Sequence, residues 1–469
     1  MVLNSLPFAG CFLLFMAVLL ILPKKARRYW LLAADILFYL TWERIALVWL
    51  LLSAFSVWAC GLGIREKGRK KVFLILPVLW NIGLLVFFKY AGLADPVLQR
   101  ADLSVLPRFG DLAVPLGLSF YTLRCVSYAA DVWRGKLAAE DCFISVLLYV
   151  SFFPQIISGP IERPGAFFRE LRGFETGRLW DTGRIRRGAL LFVWGLFQKL
   201  VLAERLSVVS ACLFGNFETR GFWELLAASL AYTLQIYCDF AGYSDMSRGI
   251  AGIMGFSTER NFRQPYLAAG IKSFWRRWHI SLTSWLTDYV YIPLGGSRKG
   301  LLRKYVHIIL VFLVSGLWHG NTLNFIFWGM LHAFYQILED LWSRSGKRLP
   351  RAAGRVLTFL SVNFAWIFFN SGGLNRGLRI VRQMFRSFAL PAVPDFGLSA
   401  GNAAVLLAGL MVLLTVDLLH EKGVGIHSRV SALPLPLRWL LYLGLIWSVI
   451  MLGIYGIGYD TSSFIYARF

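Results

Sequence analysis

Residues 304–341 form one almost unbroken apolar run with the sequence KYVHIILVFLVSGLWHGNTLNFIFWGMLHAFYQILEDL. As a single helix, a run of this length would extend about 57 Å, whereas the hydrocarbon core of a bilayer is about 30 Å thick. Basic residues stand at both ends of the run: Arg303 and Lys304, then Arg344, Lys347 and Arg348. Because basic residues favour the cytoplasmic side, we predict a helical hairpin with its apex at SGLWHGN, Ser315 to Asn321. This hairpin places His319 deep in the membrane, toward its outer half.

The composition of the whole chain agrees with a membrane protein. Of its 469 residues, 57% are hydrophobic and only 16% are charged, whereas soluble domains carry about 25% charged residues. Apolar runs recur along the chain, and no long Ser-, Gly- or Pro-rich linker separates them. The composition therefore predicts an all-α integral membrane protein and excludes soluble and disordered classes.

The net charge is 49 − 26 = +23, which in a soluble protein would suggest nucleic-acid binding. Here the basic residues lie in short clusters between apolar runs: KKARR (Lys24 to Arg28), REKGRKK (Arg65 to Lys71) and GKRLPRAAGR (Gly346 to Arg355). This placement predicts cytoplasmic loops beside anionic membrane lipids, an outer N-terminus and no nucleic-acid partner.

The apolar runs predict roughly a dozen helices, several of them too short to cross a bilayer, so that re-entrant and interfacial helices are expected. The candidate spans are residues 7–23, 29–42, 45–63, 72–89, 113–130, 142–158, 187–203, 222–240, 304–319, 322–341, 355–370, 402–419 and 434–455. The first is interpreted as a membrane span and not as a cleaved signal peptide, because no basic segment precedes it. We expect a single polytopic domain, 1–469, with N-terminal helices in 1–110, a core in 111–341 and C-terminal helices in 342–469.

Within the core, residues 256–304 combine many basic residues with many aromatic ones. In SFWRRWHISLTSWL, residues 273–286, apolar side chains recur at helical spacing: Trp275, Trp278, Leu282, Trp285 and Leu286. This periodicity predicts one amphipathic helix that lies along the cytoplasmic surface of the membrane. Arg276 and Arg277 point away from its apolar face and suit an anionic or carbonyl ligand.

Two histidines are candidates for chemistry. An ionisable group deep in a membrane is costly and marks a functional site by default, so His319 is predicted to be a neutral proton acceptor. Its structural alternative is a hydrogen bond to a neighbouring carbonyl. For His279, simple packing at the interface competes with a functional role. Asp239 ends an apolar run, and we expect it to be buried and paired with an arginine or a tyrosine hydroxyl.

Other kinds of chemistry have no support in the sequence. The six cysteines are scattered without a CxxC pair, so neither a disulfide framework nor a metal site is expected. No Gly-rich phosphate loop and no G-x-S-x-G nucleophile elbow occur. Base-assisted transfer between two bound substrates is the simplest remaining reaction, with no bound cofactor.

Several motifs resemble those of the membrane-bound O-acyltransferases, in particular the branch of alginate O-acetyltransferases and D-alanyl lipoteichoic acid transferases. They are NFRQPYLAAGIKSFWRRWHISLTSWLTDYVYIPLGG (Asn261 to Gly296), SGLWHGN, YCDFAGYSDM, SGPIERP and the terminal FIYARF (Phe464 to Phe469). The resemblance implies a multi-helix fold with a central tunnel, with His319 as the catalytic residue and His279 in donor binding or catalysis. Arg276, Arg277, Asp239, Trp318 and Asn321 are our candidates for substrate binding.

The resemblance also implies a substrate pair and a partner. An acyl group, expected to be acetyl, comes from a cytoplasmic thioester (acetyl-CoA or an acyl carrier) and crosses the bacterial inner membrane. A periplasmic acetyltransferase of the SGNH-hydrolase type then places it on a polysaccharide such as alginate. His319 could act as a base or carry the acyl group transiently. The alternatives are D-alanyl transfer to teichoic acid, a transporter with a proton relay through Asp239, His319 and His332, and a scaffold.

Overall fold

The structure, a computed structural model, describes residues 2–42, 44–95, 109, 112–346, 349–390 and 395–455. Every regular element within these ranges is a helix, which confirms the predicted all-α class. The predicted motif FIYARF and most of the loop between residues 91 and 111 lie outside the described residues. The chain forms two compact units, whereas the predicted single domain, with its boundaries at residues 110 and 341, stays a prediction.

The first unit contains the residues up to Gly188 together with Ser247–Glu259. Its helices are α1 (Leu6–Ile21), α2 (Arg27–Leu40), α3 (Arg44–Lys67), α4 (Val72–Tyr90), α5 (Leu118–Trp133), α6 (Phe143–Ser151) and α7 (Pro164–Thr176). The predicted span 142–158 is therefore helical only in its first half. Pro154 explains the early end, because proline lacks an N–H and disfavours helical geometry in the residue before it.

A buried polar network holds the segment that follows α6. The Arg124 guanidinium donates to the Tyr149 carbonyl at 2.9 Å and to Gln155 Oε1 at 2.6 Å. Glu162 Oε1 accepts from Gln155 Nε2 at 3.3 Å and from the Glu259 amide at 2.8 Å. The SGPIER segment, Ser158 to Arg163, thus supplies a carboxylate to a structural network.

The second unit contains Ala189–Met246 and the described residues from Arg260 onward. The helices after α7 are α8 (Thr182–Leu196), α9 (Glu204–Gly215), α10 (Phe222–Met254), α11 (Ile271–Trp275), α12 (Ile280–Leu286), α13 (Leu301–His319), α14 (Leu323–Arg344), α15 (Arg351–Asn370), α16 (Leu374–Met384), α17 (Ala400–Glu421), α18 (Ile426–Ser431) and α19 (Leu435–Leu452). A π-helical segment, Phe197–Ala203, joins α8 to α9.

Six helices among the described residues are long and apolar enough to cross a membrane. They are Arg44–Lys67, Val72–Ala94, Leu301–His319, Arg351–Asn370, Ala400–Glu421 and Leu435–Leu452. The other predicted spans also coincide with helices, which are shorter or more polar. The chain is therefore a membrane protein with helices of several lengths.

The helices α13 and α14 form the predicted hairpin. The first ends at His319, the second begins at Leu323, and the two pack along their lengths. A Cβ on Gly316 would lie 2.6 Å from the Phe325 carbonyl oxygen, and one on Gly329 would collide with the Phe312 carbonyl. The two glycines therefore let the backbones approach closely, as small residues do between membrane helices.

The predicted single amphipathic helix over residues 273–286 is wrong in one respect. The segment is broken into α11 and α12, and His279 at the break has a left-handed backbone with φ of +44°. The preceding loop causes the break, because the Asn261 carbonyl accepts from the Ile280 amide and the Arg277 carbonyl accepts from the Arg263 amide, both at 2.9 Å. The predicted apolar face is buried within the second unit.

Candidate active site

His319 lies at the end of α13 and is only 3% exposed. Its ring is enclosed by aromatic rings from α14 and α15. The centroid distances are 5.2 Å to Trp328, 5.1 Å to Phe369 and 6.4 Å to Phe325. A shell of this kind excludes water from the imidazole, and electrostatic interactions are stronger in such a site than in water.

His279 is the second buried histidine, and it is 1% exposed. It precedes α12, and the Phe240 ring lies edge-on to it at 4.7 Å. Burial lowers the pKa of His279 to about 3, so its imidazole is neutral at pH 7. Its left-handed backbone is uncommon for a residue with a side chain, and such conformations cluster at functional sites.

Trp318 connects the two histidines. Its ring centroid lies 4.9 Å from that of His319 and 6.3 Å from that of His279. Three residues predicted from two separate motifs, His279, Trp318 and His319, are thus brought into one cluster. Asn321, by contrast, lies exposed in the turn between α13 and α14.

A cavity of about 800 Å³ in the second unit leads toward this cluster. It follows one face of α13, where Lys304, Ile308, Phe312 and Ser315 line its wall. The eleven steps from Lys304 to Ser315 correspond to about 16 Å of helix, and Ser315 stands one turn, about 6 Å, before His319. The cavity therefore runs from the basic end of α13 almost to the histidine.

The mouth of this cavity is basic. Its cationic lining residues are Lys272, Arg276, Lys304 and Arg344. The Asp340 carboxylate holds Lys304 and Arg344 in ion pairs, and the Glu339 carboxylate accepts from the Lys272 amide at 3.2 Å. With four cations and two carboxylates, the mouth retains positive charge for an anionic ligand.

The two neighbouring arginines have different surroundings. Arg276 lies on the cavity wall, as a substrate-binding role requires. The Arg277 guanidinium instead pairs with the Glu421 carboxylate at 2.6 Å, and Arg351 and Arg355 approach the same carboxylate at 3.4 and 3.5 Å. Arg277 therefore ties the segment to the ends of α15 and α17.

Asp239 is buried, as predicted, and the structure pairs it with a lysine that was not predicted from the sequence. The Lys199 Nζ lies 2.6 Å from an Asp239 oxygen and 2.6 Å from a Glu204 oxygen. All three residues are buried. The structure thus places Asp239 in a compact ion triad beside the π-helical segment.

Helix α14 forms a further part of the cavity wall, which was not predicted from the sequence. Gln336, Glu339, Asp340 and Ser343 line the cavity at positions i, i+3, i+4 and i+7 of that helix. Polar residues at this spacing in an otherwise apolar helix form a single stripe, and that pattern could have identified them. Trp328, which contacts His319, carries no comparable signal in the sequence.

The helices, the enclosed histidine and the basic cavity that ends one turn before it are features of a membrane protein with a candidate site for an anionic ligand. Residues 18–374 match the membrane-bound O-acyltransferase family, MBOAT. The chain therefore belongs to this family and is a membrane acyltransferase. The predicted enzyme is thereby confirmed over a transporter or a scaffold.

Relatives support the same class. A probable alginate O-acetylase AlgI from Pseudomonas syringae pv. tomato is 36% identical, covering 88% of this chain and 79% of that protein. A peptidoglycan O-acetyltransferase from Helicobacter pylori is 32% identical, covering 76% of this chain and 73% of that protein. A teichoic acid D-alanyltransferase from Bacillus subtilis is 26% identical, covering 54% of this chain and 67% of that protein.

Proposed function

We propose that this protein moves an acetyl group from a cytoplasmic thioester across the membrane for O-acetylation of an extracytoplasmic polysaccharide such as alginate, with His319 as the catalytic base. One observation carries the proposal: the cavity follows one face of α13 from a basic mouth to the turn before His319. The names of the alginate and peptidoglycan relatives favour acetyl transfer to a glycan.

The donor end suits a phosphate-bearing thioester such as acetyl-CoA or an acyl carrier. Arg276 and Lys272 are exposed at the cavity mouth, where they can form charge-assisted hydrogen bonds to phosphate. The volume of about 800 Å³ lies within the range typical of sites for small molecules. Farther in, Ile308, Phe312 and Leu282 provide an apolar wall for the acyl end.

At the inner end, His319 performs the proton transfer. A neutral imidazole takes the proton of the acceptor hydroxyl, and the hydroxyl oxygen attacks the thioester carbonyl to form the ester. The C–S bond then breaks, and the thiolate leaves with the proton that the imidazolium returns. The aromatic shell of Trp328, Phe325 and Phe369 keeps water from competing with the acceptor. His279, on the other side of Trp318, belongs to the same cluster and assists donor binding or catalysis.

The proposal includes a cellular setting. The basic end of α13 faces the cytoplasm of a bacterial inner membrane, and the hairpin apex faces outward. A periplasmic acetyltransferase of the SGNH-hydrolase type is the proposed partner, which receives the acetyl group and esterifies the polysaccharide. The enzyme is proposed to use neither a bound cofactor nor a metal ion.

The test is the O-acetyl content of the extracellular polysaccharide in a deletion strain. The strain is complemented with wild type, His319→Ala or His279→Ala, with matched membrane levels of protein. His427→Ala, in the short helix α18, serves as the control. We expect loss of acetylation with His319→Ala and full acetylation with the control. Full acetylation by both site variants would contradict the proposal, and esterified D-alanine in place of acetate would contradict the acetyl donor.

A further inference from the structure

Trp275 stands at the inner part of the cavity. Its indole lines the cavity beside Phe312, and the two ring centroids are 5.4 Å apart. Phe312 is two turns deeper along α13 than the basic Lys304, about 12 Å of helix. The side chain is 8% exposed, so one edge faces the cavity while the rest is packed.

His332 fixes the orientation of this indole. The Trp275 Nε1–H donates to His332 Nδ1 at 3.3 Å. His332 itself is fully buried in α14 and is packed against the rings of Phe312, Trp328 and Tyr335. Because an imidazole in a rigid aromatic shell cannot turn away, the hydrogen bond holds the tryptophan in one rotamer.

A second tryptophan stands between this wall and the catalytic histidine. The Trp328 ring lies 5.8 Å from that of Trp275 on one side and 5.2 Å from that of His319 on the other. Ser315 is the last α13 residue that lines the cavity before His319. The inner end of the cavity is therefore bordered by the large rings of Trp275 and Phe312, and Trp328 packs against Trp275.

We propose that Trp275, held in place by His332, is the wall that limits the acyl chain this enzyme accepts to about two carbons. The inference deepens the proposed function and rests on it. Trp275 determines specificity by contact with the acyl group. His332 is a positioning residue that acts through Trp275.

The experiment measures kcat/KM for acetyl-, propionyl-, butyryl- and hexanoyl-CoA with the full-length protein in proteoliposomes. An apolar pocket discriminates by roughly tenfold per methylene, so wild type is expected to prefer acetyl over butyryl by about 100-fold. Trp275→Ala should reduce this preference at least ~10-fold by accepting longer chains. Trp275→Phe, which keeps most of the ring, should give an intermediate profile and protects the test against misfolding of the alanine variant.

Two substitutions test whether His332 positions Trp275 through its hydrogen-bond acceptor. His332→Asn keeps an acceptor near the position of Nδ1 and should retain the wild-type profile, whereas His332→Phe removes the acceptor and should shift the profile toward longer chains. In Trp275→Phe the indole N–H is already absent, so His332→Phe should cause little further shift. Trp447→Ala, an exposed tryptophan of α19, is the control and should leave the profile unchanged.

The outcomes separate this inference from the proposed function. If Trp275 does not select the acyl chain by length, Trp275→Ala keeps the wild-type chain-length profile and still transfers acetyl. That result overturns the inference about Trp275 but leaves the proposed function intact. A purely structural His332 would lower turnover of all four donors by the same factor, which also overturns it. If wild type transfers acetyl from neither acetyl-CoA nor an acetylated acyl carrier, the proposed function itself fails.

Discussion

Two regions of the second unit both bury ionisable groups, and they do so in different ways. In the ion triad, Lys199 lies 2.6 Å from both Asp239 and Glu204, so each buried carboxylate has an oppositely charged neighbour. Around His319, the surroundings are aromatic rings and a cavity that ends one turn away. Burial of an ionisable group therefore does not by itself identify an active site. Oppositely charged neighbours indicate structure, whereas an imidazole enclosed by rings at the end of a cavity indicates chemistry.

The largest expected effect separates the two regions directly. Replacing His319 by alanine should lower acetyl-transfer turnover by about 10²–10⁴-fold, since a positioned general base contributes roughly 3–5 kcal/mol. The thermal midpoint of the purified protein should stay near that of wild type. Initial rates in proteoliposomes and thermal unfolding in detergent test both halves of this prediction. If His319→Ala also has a much lower thermal midpoint than wild type, His319 has a structural role.

Lys199→Met should have the opposite effect: it should lower the stability of the protein more than its turnover. It removes the ammonium group that lies 2.6 Å from both buried carboxylates, Asp239 and Glu204, and this loss is expected to cost about 3–5 kcal/mol of stability. The yield of folded protein should fall, while the rate per folded molecule stays within a few-fold of wild type.

Asp239→Asn tests whether Asp239 has a structural role or binds substrate. It should lower the free energy of unfolding less than Lys199→Met does, because Lys199 still forms its ion pair with the Glu204 carboxylate. A raised KM for the donor with unchanged stability would instead assign Asp239 to substrate binding. Donor titrations beside unfolding curves distinguish the two results.

Gly329→Ala should disturb the His319 region without touching its ring. The added Cβ meets the Phe312 carbonyl, and overpacking of this kind costs about 1–3 kcal/mol. Separation of α13 from α14 also displaces His319, so turnover should fall together with stability. Gly444→Ala is the matched control, because nothing lies within 4 Å of its Cβ position. Equal unfolding curves and rates for the two variants would argue against a tightly packed hairpin.

The smallest expected effect distinguishes the adjacent arginines. Arg276→Gln removes a charge from the cavity wall and should raise the KM for a phosphate-bearing donor by about fivefold, or roughly 1 kcal/mol. Arg277→Gln breaks the pair with Glu421 and should change the KM much less. Measurement of both KM values at low and high salt checks this, because only the Arg276 contribution should weaken with added salt. Equal effects would show that both arginines reach the donor.

The sequence predicts the parts of this site that depend on local pattern. The hairpin of α13 and α14 follows from the length of the apolar run and the basic residues at its ends. The buried faces of Trp275 and Trp278 follow from their spacing. Each feature arises within one continuous segment of the chain, so a single sequence contains it.

The remaining features depend on contacts between distant segments. The break at His279 is produced by two hydrogen bonds, from the Ile280 amide to the Asn261 carbonyl and from the Arg263 amide to the Arg277 carbonyl. No helix propensity of SFWRRWHISL indicates it. Lys199 was not recognised as the partner of Asp239, because the pair joins different helices. The cavity needs α11 to α14 together, so its basic mouth could be suspected from the sequence but its direction toward His319 could not.

The cavity and His319 are proposed to form one path across the membrane, and sided transfer tests this path most directly. The protein is reconstituted in one orientation, with radiolabelled acetyl thioester outside the vesicles at the basic end and a soluble hydroxyl acceptor inside. The account predicts labelled ester in the lumen for wild type and none for His319→Ala. Labelled ester on the donor side alone, or equal lumenal label from both proteins, would contradict it.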